Sequence, residues 1–384
     1  MEKNRHLHGK WNAVCTLLSP FFRRIFRYSY EYCAPKGPCL VISNHVTNFD
    51  PILVGMAFRK KPLCFVASEH LFRKGWMTKA LVWLFDPIAR RKAASGMETA
   101  MACARRLKAG DSVCIFAEGE TTWDGLTQKI MPATGNLARI PGVTLVTYRL
   151  EGGYLTAPRW ANAMRKGRMY GRVVNTYTQE DLKGMTGNQI TELIDRDIFE
   201  NAWERQKASP VRYKGKNLAE GIEVALFMCP KCKRIGTVHG EGDHVKCDCG
   251  LNVRYTEYGT FEPAQPFENI HEWDKWQHEM LESGGFAREG SVLRDDNLVL
   301  TEVGAEHGEH TIAEGSLSFL PDRLSFAGRE FPFEEISSMA LLQRRKLVFT
   351  HGGKYYEIRR EKPLCMRKYL ASWNFFRASA EKNK

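Results

Sequence analysis

The sequence has no apolar run approaching the roughly 18 residues that a bilayer-spanning helix requires. Its richest, Ala80 to Phe85, is six residues long, which excludes a helical membrane span. Nor does its start read as a secretory leader. Met1 to Lys10 is basic, but the next stretch is broken by Asn12, Thr16, Ser19 and Pro20, and ends at Arg23 and Arg24 where a small-residue cleavage site would stand. The expectation is a cytosolic protein, soluble or lying on a membrane. No internal repeat or low-complexity segment is visible, and the ordinary composition excludes a collagen-like fibre. With 43% hydrophobic and 26% charged residues, the 384-residue chain is not disordered as a whole. At about 150 residues per domain it has room for two or three domains. No pairing pattern joins Cys15, Cys33, Cys39, Cys64, Cys103, Cys114 and Cys365, so these read as buried, reduced thiols.

Charge is unevenly spread. Lys and Arg number 56 against 44 Asp and Glu, a net +12. Residues 1–210 hold 31 basic and 18 acidic residues, a balance of +13, whereas residues 211–384 hold 25 and 26, a balance of −1. A positive field confined to the first half suits an anionic partner: nucleic acid, an acidic membrane or phosphorylated substrates.

Residues 9–34 read as helix in two segments separated near Pro20. Phe22, Ile25 and Phe26 share a face with Arg23, Arg24 and Arg27 beside it, and Tyr28, Tyr30 and Tyr32 extend an aromatic edge. Residues 1–34 are therefore expected to be amphipathic membrane-surface helices, with an ordinary docked helix as the alternative. From Cys39 onward short apolar strands alternate with helices. The strands are Cys39–Ser43, Pro62–Ala67, Ser112–Phe116, Val143–Tyr148 and Arg172–Tyr177; the helices are Met97–Lys108 and a long one over Thr186–Gln206. This alternation predicts an α/β domain over residues 35–208. A linker follows, then a cysteine-bearing segment at 222–260 and an acidic aromatic helix at Asn269–Glu282. Residues 283–380 read as a β-rich module closed by a helix near Leu364–Ala378.

The chemistry begins at Ser43-Asn-His-Val-Thr-Asn-Phe-Asp-Pro51, which follows a strand and should turn into a helix. There His45 and Asp50 can converge. A carboxylate on one imidazole nitrogen leaves the other as a base able to take a proton from a hydroxyl. Phe116-Ala-Glu-Gly-Glu-Thr-Thr122 also follows a strand, where α/β folds place active-site loops. Between these two, Phe85 to Lys92 is a basic turn whose Arg90 or Arg91 could hold a phosphate. A fourth element, Met131 to Ala138, precedes the strand at Val143.

In order and spacing these four boxes resemble the glycerolipid acyltransferase family of the 1-acylglycerol-3-phosphate acyltransferase type, over roughly residues 35–205. The resemblance implies an α/β acyltransferase core in which His45 is the general base, Asp50 orients it, Arg90 contacts the acceptor phosphate, and Glu118 and Gly119 belong to the acceptor-side loop. It further implies an acyl-CoA or acyl carrier protein donor, a lysophospholipid acceptor (lysophosphatidic acid first), and no covalent enzyme intermediate. An anionic membrane surface on the inner face of the cell membrane is the expected location. Four positions depart from the family pattern: Ala117 in place of Pro, Glu120-Thr121 in place of Thr-Arg, and Thr134 in place of a basic residue. They leave open a lysolipid with a less charged head.

Cys229-Pro-Lys-Cys232, followed after fourteen residues by Cys247-Asp-Cys249, supplies four sulfurs at the spacing of a small zinc ribbon. Four thiolates leave no open position, so the expected zinc is structural. His239 and His244 read as loop residues. The ribbon's own acidic residues make nucleic acid an unexpected partner, and the tail has only an architectural likeness to a pleckstrin-homology-like docking module. Besides the enzyme, an inactive acyltransferase-like scaffold recruiting partners through the ribbon and tail fits the altered third box.

Overall fold

The computed structural model describes residues 2–68, 82–83, 86–90, 96–132, 134–283, 293–304, 308–361 and 364–382. It divides into two compact units. One comprises Met1–Arg159 with Ala163–Gly215, the other Trp160–Asn162 with Lys216–Lys384.

In the first unit the chain runs α1 (Glu2–Phe26), β1 (Tyr28–Tyr30), β2 (Cys39–Ser43), α2 (Asp50–Ala57), β3 (Leu63–Ser68), β4 (Ile88–Arg90), α3 (Gly96–Lys108) and β5 (Ser112–Phe116). It continues through α4 (Thr134–Ala138), β6 (Thr144–Glu151), α5 (Gly153–Thr156), β7 (Met169–Tyr177), α6 (Gly187–Ile198) and α7 (Ala202–Ala208). Seven strands form one sheet in the order β1-β7-β6-β2-β5-β3-β4. Every neighbouring pair is parallel except β6 and β7. Parallel sheets survive with helices over both faces, and β2 displays the result: all five of its residues are buried. Cys39 and Val41 point into a cluster with Trp11, Phe22 and Phe26 of α1 and Leu53 and Val54 of α2. Leu40 and Ile42 point the other way, toward Leu107 of α3, Leu137 of α4 and Ile190 and Ile194 of α6.

Three expectations are corrected. The helix is not split at Pro20 but runs through it to Phe26; Pro20 lacks the N–H that would bond Thr16, so one helical bond is lost. Its Phe22 and Phe26 are packed in the core, so these aromatics form the face of a docked helix. Residues 28–30 are strand, not helix, and pair in parallel with β7; a tyrosine at every second position was the strand's own period. The long helix over 186–206 is two helices. Thr186 and Gln189 form the capping box of α6. Phe199 to Asn201 are then extended, and the Asn201 side chain caps α7 by accepting from the Trp203 and Glu204 amides.

The second unit holds a four-stranded antiparallel sheet of β8 (Val238–Glu241), β9 (His244–Cys247), β10 (Leu251–Tyr255) and β11 (Phe261–Glu262), then α8 (Ile270–Glu282). Seven antiparallel strands follow: β12 (Leu293–Val303), β13 (Glu309–Phe319), β14 (Arg323–Phe326), β15 (Arg329–Pro332), β16 (Ile336–Leu342), β17 (Lys346–His351) and β18 (Lys354–Arg359). Their order is β15-β14-β13-β12-β18-β17-β16, two meanders joined where β18 returns to pair with β12. The closing helix, α9, is Arg367–Lys382. Among the described residues no helix is long and apolar enough to cross a membrane.

Candidate active site

β6, β2, β5, β3 and β4 run parallel side by side, so their carboxyl ends open on one edge of the sheet, where α/β folds place ligand crevices. His45 follows β2, Glu118 and Gly119 follow β5, and Arg90 ends β4. The sequence-predicted residues come from distant stretches and meet there for this topological reason.

His45 and Asp50 pair directly, Nδ1 to Oδ2 at 2.8 Å, with the imidazole one-fifth exposed and the carboxylate fully buried. Asp50 opens α2, and its Oδ2 also accepts the backbone amides of Val46 at 2.7 Å and Thr47 at 3.0 Å. Its Oδ1 accepts the Thr47 hydroxyl at 2.6 Å and the Thr47 amide at 3.1 Å. Surrounded by donors, the carboxylate is an acceptor only, so Nδ1 of His45 carries its proton and Nε2 is left with a free lone pair able to accept one. The ring stacks on Phe116 with centroids 4.5 Å apart, which holds it in one plane. Asn44 anchors the loop. It is buried, donates to the Leu150 carbonyl at 2.9 Å and accepts the Leu150 amide at 2.8 Å, clamping the loop to β6.

Glu118 bridges two loops: Oε1 accepts the His45 amide and Oε2 the Gln128 amide, each at 2.6 Å. It therefore positions the backbone of His45. Burial pushes its carboxyl from the ordinary 4.5 up to about 8, against those two donors, which favour the ionised form. A carboxyl raised this way contributes stability that is complete below pH 4.5 and lost as pH rises through about 8. Glu118→Gln should melt lower overall, since one amide then faces a donor, yet its Tm should change less between pH 5 and 9 than that of the wild type. Parallel pH dependences of the two melting curves would refute this assignment.

Gly119 adopts a left-handed φ of +80°, and a Cβ there would stand 2.9 Å from Nη1 of Arg90. Glycine is needed both for the turn and for the guanidinium lying over it. Arg90 is half-buried; burial lowers its pKa and the Glu120 carboxylate opposes that. Arg91, the alternative phosphate contact, lies outside the described residues, as does most of Trp76 to Phe85.

Arg159 was not found from the sequence. Its Nη1 donates to Glu120 Oε2 at 2.7 Å and to the Thr121 carbonyl at 2.9 Å, and its guanidinium lies 3.9 Å from the Trp123 ring centroid. It is nearly buried. A cation thus reaches the third box after all, but from 39 residues downstream; the only sequence signal was the unmatched Glu120. Thr134, another of the departures, is buried at the start of α4, where a Cβ on Gly135 would collide with the Gly187 carbonyl.

In the second unit the sulfurs of Cys229, Cys232, Cys247 and Cys249 all lie within 4.8 Å of one another, a cluster able to hold a metal ion. His244 instead bonds Asn252 through Nδ1 at 2.8 Å.

Residues 24–151 match the family model described as Acyltransferase. Among solved structures the chain is similar to the 1-acyl-sn-glycerophosphate (LPA) acyltransferase PlsC from Thermotoga maritima, with 13% identity over 55% of this chain and 81% of that one and a TM-score of 0.40.

Proposed function

We propose that the protein moves a fatty acyl group from a thioester, acyl-CoA or acyl carrier protein, to the free hydroxyl of a lysophospholipid, with 1-acylglycerol-3-phosphate the first candidate and phosphatidic acid its product. The observation that carries this reading is the His45–Asp50 pair at the sheet edge with the Arg90 guanidinium seated over the neighbouring turn. Nε2 of His45 takes the hydroxyl proton as the oxygen attacks the thioester carbonyl. The tetrahedral intermediate collapses, the C–S bond breaks, and the departing thiolate recovers the proton from His45. Arg90 serves the acceptor phosphate; Arg159, bound to Glu120 and Trp123, shapes the same loop. Arg90→Gln should raise the acceptor KM well above its effect on the donor KM. An unaltered acceptor KM would remove Arg90 from this role.

A lipid acceptor calls for a lipid-facing surface. With Phe22 and Phe26 in the core, Leu17, Phe21 and Phe49 are among the exposed apolar residues of the described part of this unit. Phe49, one residue from Asp50, packs on Phe22 and Phe26 with centroids 6.0 and 5.3 Å away. A cavity of about 550 Å³ lined by Thr16, Ser19, Arg23, Arg24, Tyr30 and Arg59 adds positive charge. Apolar side chains beside arginines suit an anionic membrane surface. Leu17→Ser with Phe21→Ser should abolish pelleting with anionic vesicles; undiminished pelleting would place membrane contact elsewhere.

The four-cysteine cluster takes no part in acyl transfer. Four thiolates leave a zinc ion no open position for substrate, so the same reading gives it a structural zinc.

A further inference from the structure

The four sulfurs lie close enough together to share one metal ion. Cys229 and Cys249 are 3.6 Å apart and Cys232 and Cys247 3.8 Å, far beyond the roughly 2.05 Å of a disulfide. Four sulfurs each about 2.3 Å from zinc would stand about 3.8 Å from one another. The local backbone is turned for this purpose. The Lys233 amide bonds the Cys229 carbonyl at 2.8 Å and the Gly250 amide the Cys247 carbonyl at 2.9 Å, with Lys233 and Gly250 both at positive φ. The Arg234 side chain sits at Cys232, and the Cys247 sulfur lies 3.2 Å from the Thr237 hydroxyl.

Less expected is what Cys229 is attached to. The four residues before it form a buried strap held on both sides by the unit's two long helices. From α8, Gln277 accepts the Phe227 and Met228 amides at 2.9 and 3.3 Å and donates to the Ala225 carbonyl at 3.0 Å, while the Trp273 indole donates to the Met228 carbonyl at 2.9 Å. At α9, Arg367 donates to the Ala225 carbonyl at 3.1 Å and grips Asp274 of α8 through both its terminal nitrogens. Phe227 and Met228 share one apolar cluster with Leu281, Cys365 and Ala371. The helices thus answer the Ala225 and Met228 carbonyls and the Phe227 and Met228 amides, the Phe227 carbonyl accepts the Gly236 amide of the cysteine-bearing segment at 2.7 Å, and the next residue is Cys229.

We propose that one zinc ion on Cys229, Cys232, Cys247 and Cys249 is the clasp that seats the 225–228 strap between α8 and α9, so that it stabilises the helical closure of the C-terminal module as well as the ribbon. This inference rests on the zinc reading above. The loop between the cysteine pairs has few apolar residues of its own, so ion binding supplies folding free energy, and the strap carries it to the helices. A ribbon serving only as a separate docking finger would leave α9 indifferent to the metal.

The test uses the full chain. Elemental analysis should find one zinc per chain, and cobalt(II) exchanged into it should give the ligand-field bands of tetrahedral thiolate. Hydrogen exchange should then be compared before and after zinc is stripped by a chelator. Stripping should speed exchange about tenfold or more in peptides spanning 225–256, 270–282 and 367–378. A second variant, Gln277→Leu, should keep its zinc yet loosen 270–282 and 367–378, because it cuts the strap from α8 and leaves the thiolates alone. Zinc near zero, iron in its place, or thiols oxidised in pairs would overturn the zinc reading. Full zinc content with α8 and α9 unchanged on its removal would overturn the clasp alone.

Discussion

Replacing His45 with alanine should lower turnover by about 10²- to 10⁴-fold, the usual worth of a positioned base, while leaving Tm close to the wild-type value. The structure gives reasons for both halves. The ring is part-exposed and, among the described residues, its side-chain hydrogen bond is to Asp50, so its removal opens no sealed core. The other donors to Asp50, from Val46 and Thr47, remain, so the carboxylate is not stranded. The loop is fixed by the backbone bond from His45 to Glu118 and by the Thr122 amide on the His45 carbonyl at 3.1 Å, neither of which needs the imidazole. Lost rate with preserved melting separates a chemical role from a structural one. A variant with unaltered turnover would end the mechanism.

Asp50→Asn should be as inactive and also less stable. The two carboxylate oxygens are surrounded by donors, and an asparagine must turn its NH₂ toward some of them. Placed at Oδ2, it would face the Val46 amide and force His45 into the tautomer with its proton on Nε2, where the base is needed. Placed at Oδ1, it would face the Thr47 amide, and the hydroxyl would have to rotate. A buried donor without an acceptor costs about 1–3 kcal/mol. The expected result is turnover at the His45→Ala level with a clearly lower Tm. Near-normal activity in this variant would show that the carboxylate does not set the tautomer. Comparison of the two variants is informative in itself, since one removes the base and the other misdirects it.

The legible parts of this protein were those whose signal is local. Cys39–Ser43 and Ser112–Phe116 are continuous apolar runs and became fully buried parallel strands with those same limits. Thr186 and Gln189 announce a capped helix in four residues. His45 and Asp50 lie within one turn of chain, so their pairing could be anticipated from spacing. The misread parts were decided by distant partners. Tyr28 to Tyr30 became strand because β7 offers an edge, and Phe22 and Phe26 face inward because Leu53 and Val54 complete a cluster there. The break before α7 reflects Glu200, whose carboxylate accepts from the Gly152 amide at 3.2 Å and from Arg205 at 2.7 Å. Arg159 could not be assigned to the third box because nothing near it in sequence indicates Glu120.

The most direct test of the central claim is product formation by the purified full chain on anionic vesicles containing lysophosphatidic acid, with labelled acyl-CoA or acyl carrier protein as donor, followed by lipid mass spectrometry beside the His45→Ala variant. The account predicts labelled phosphatidic acid with the wild type and a yield lower by about 10²-fold or more with the variant. No labelled lipid from either donor, or equal yields from the two proteins, would contradict it.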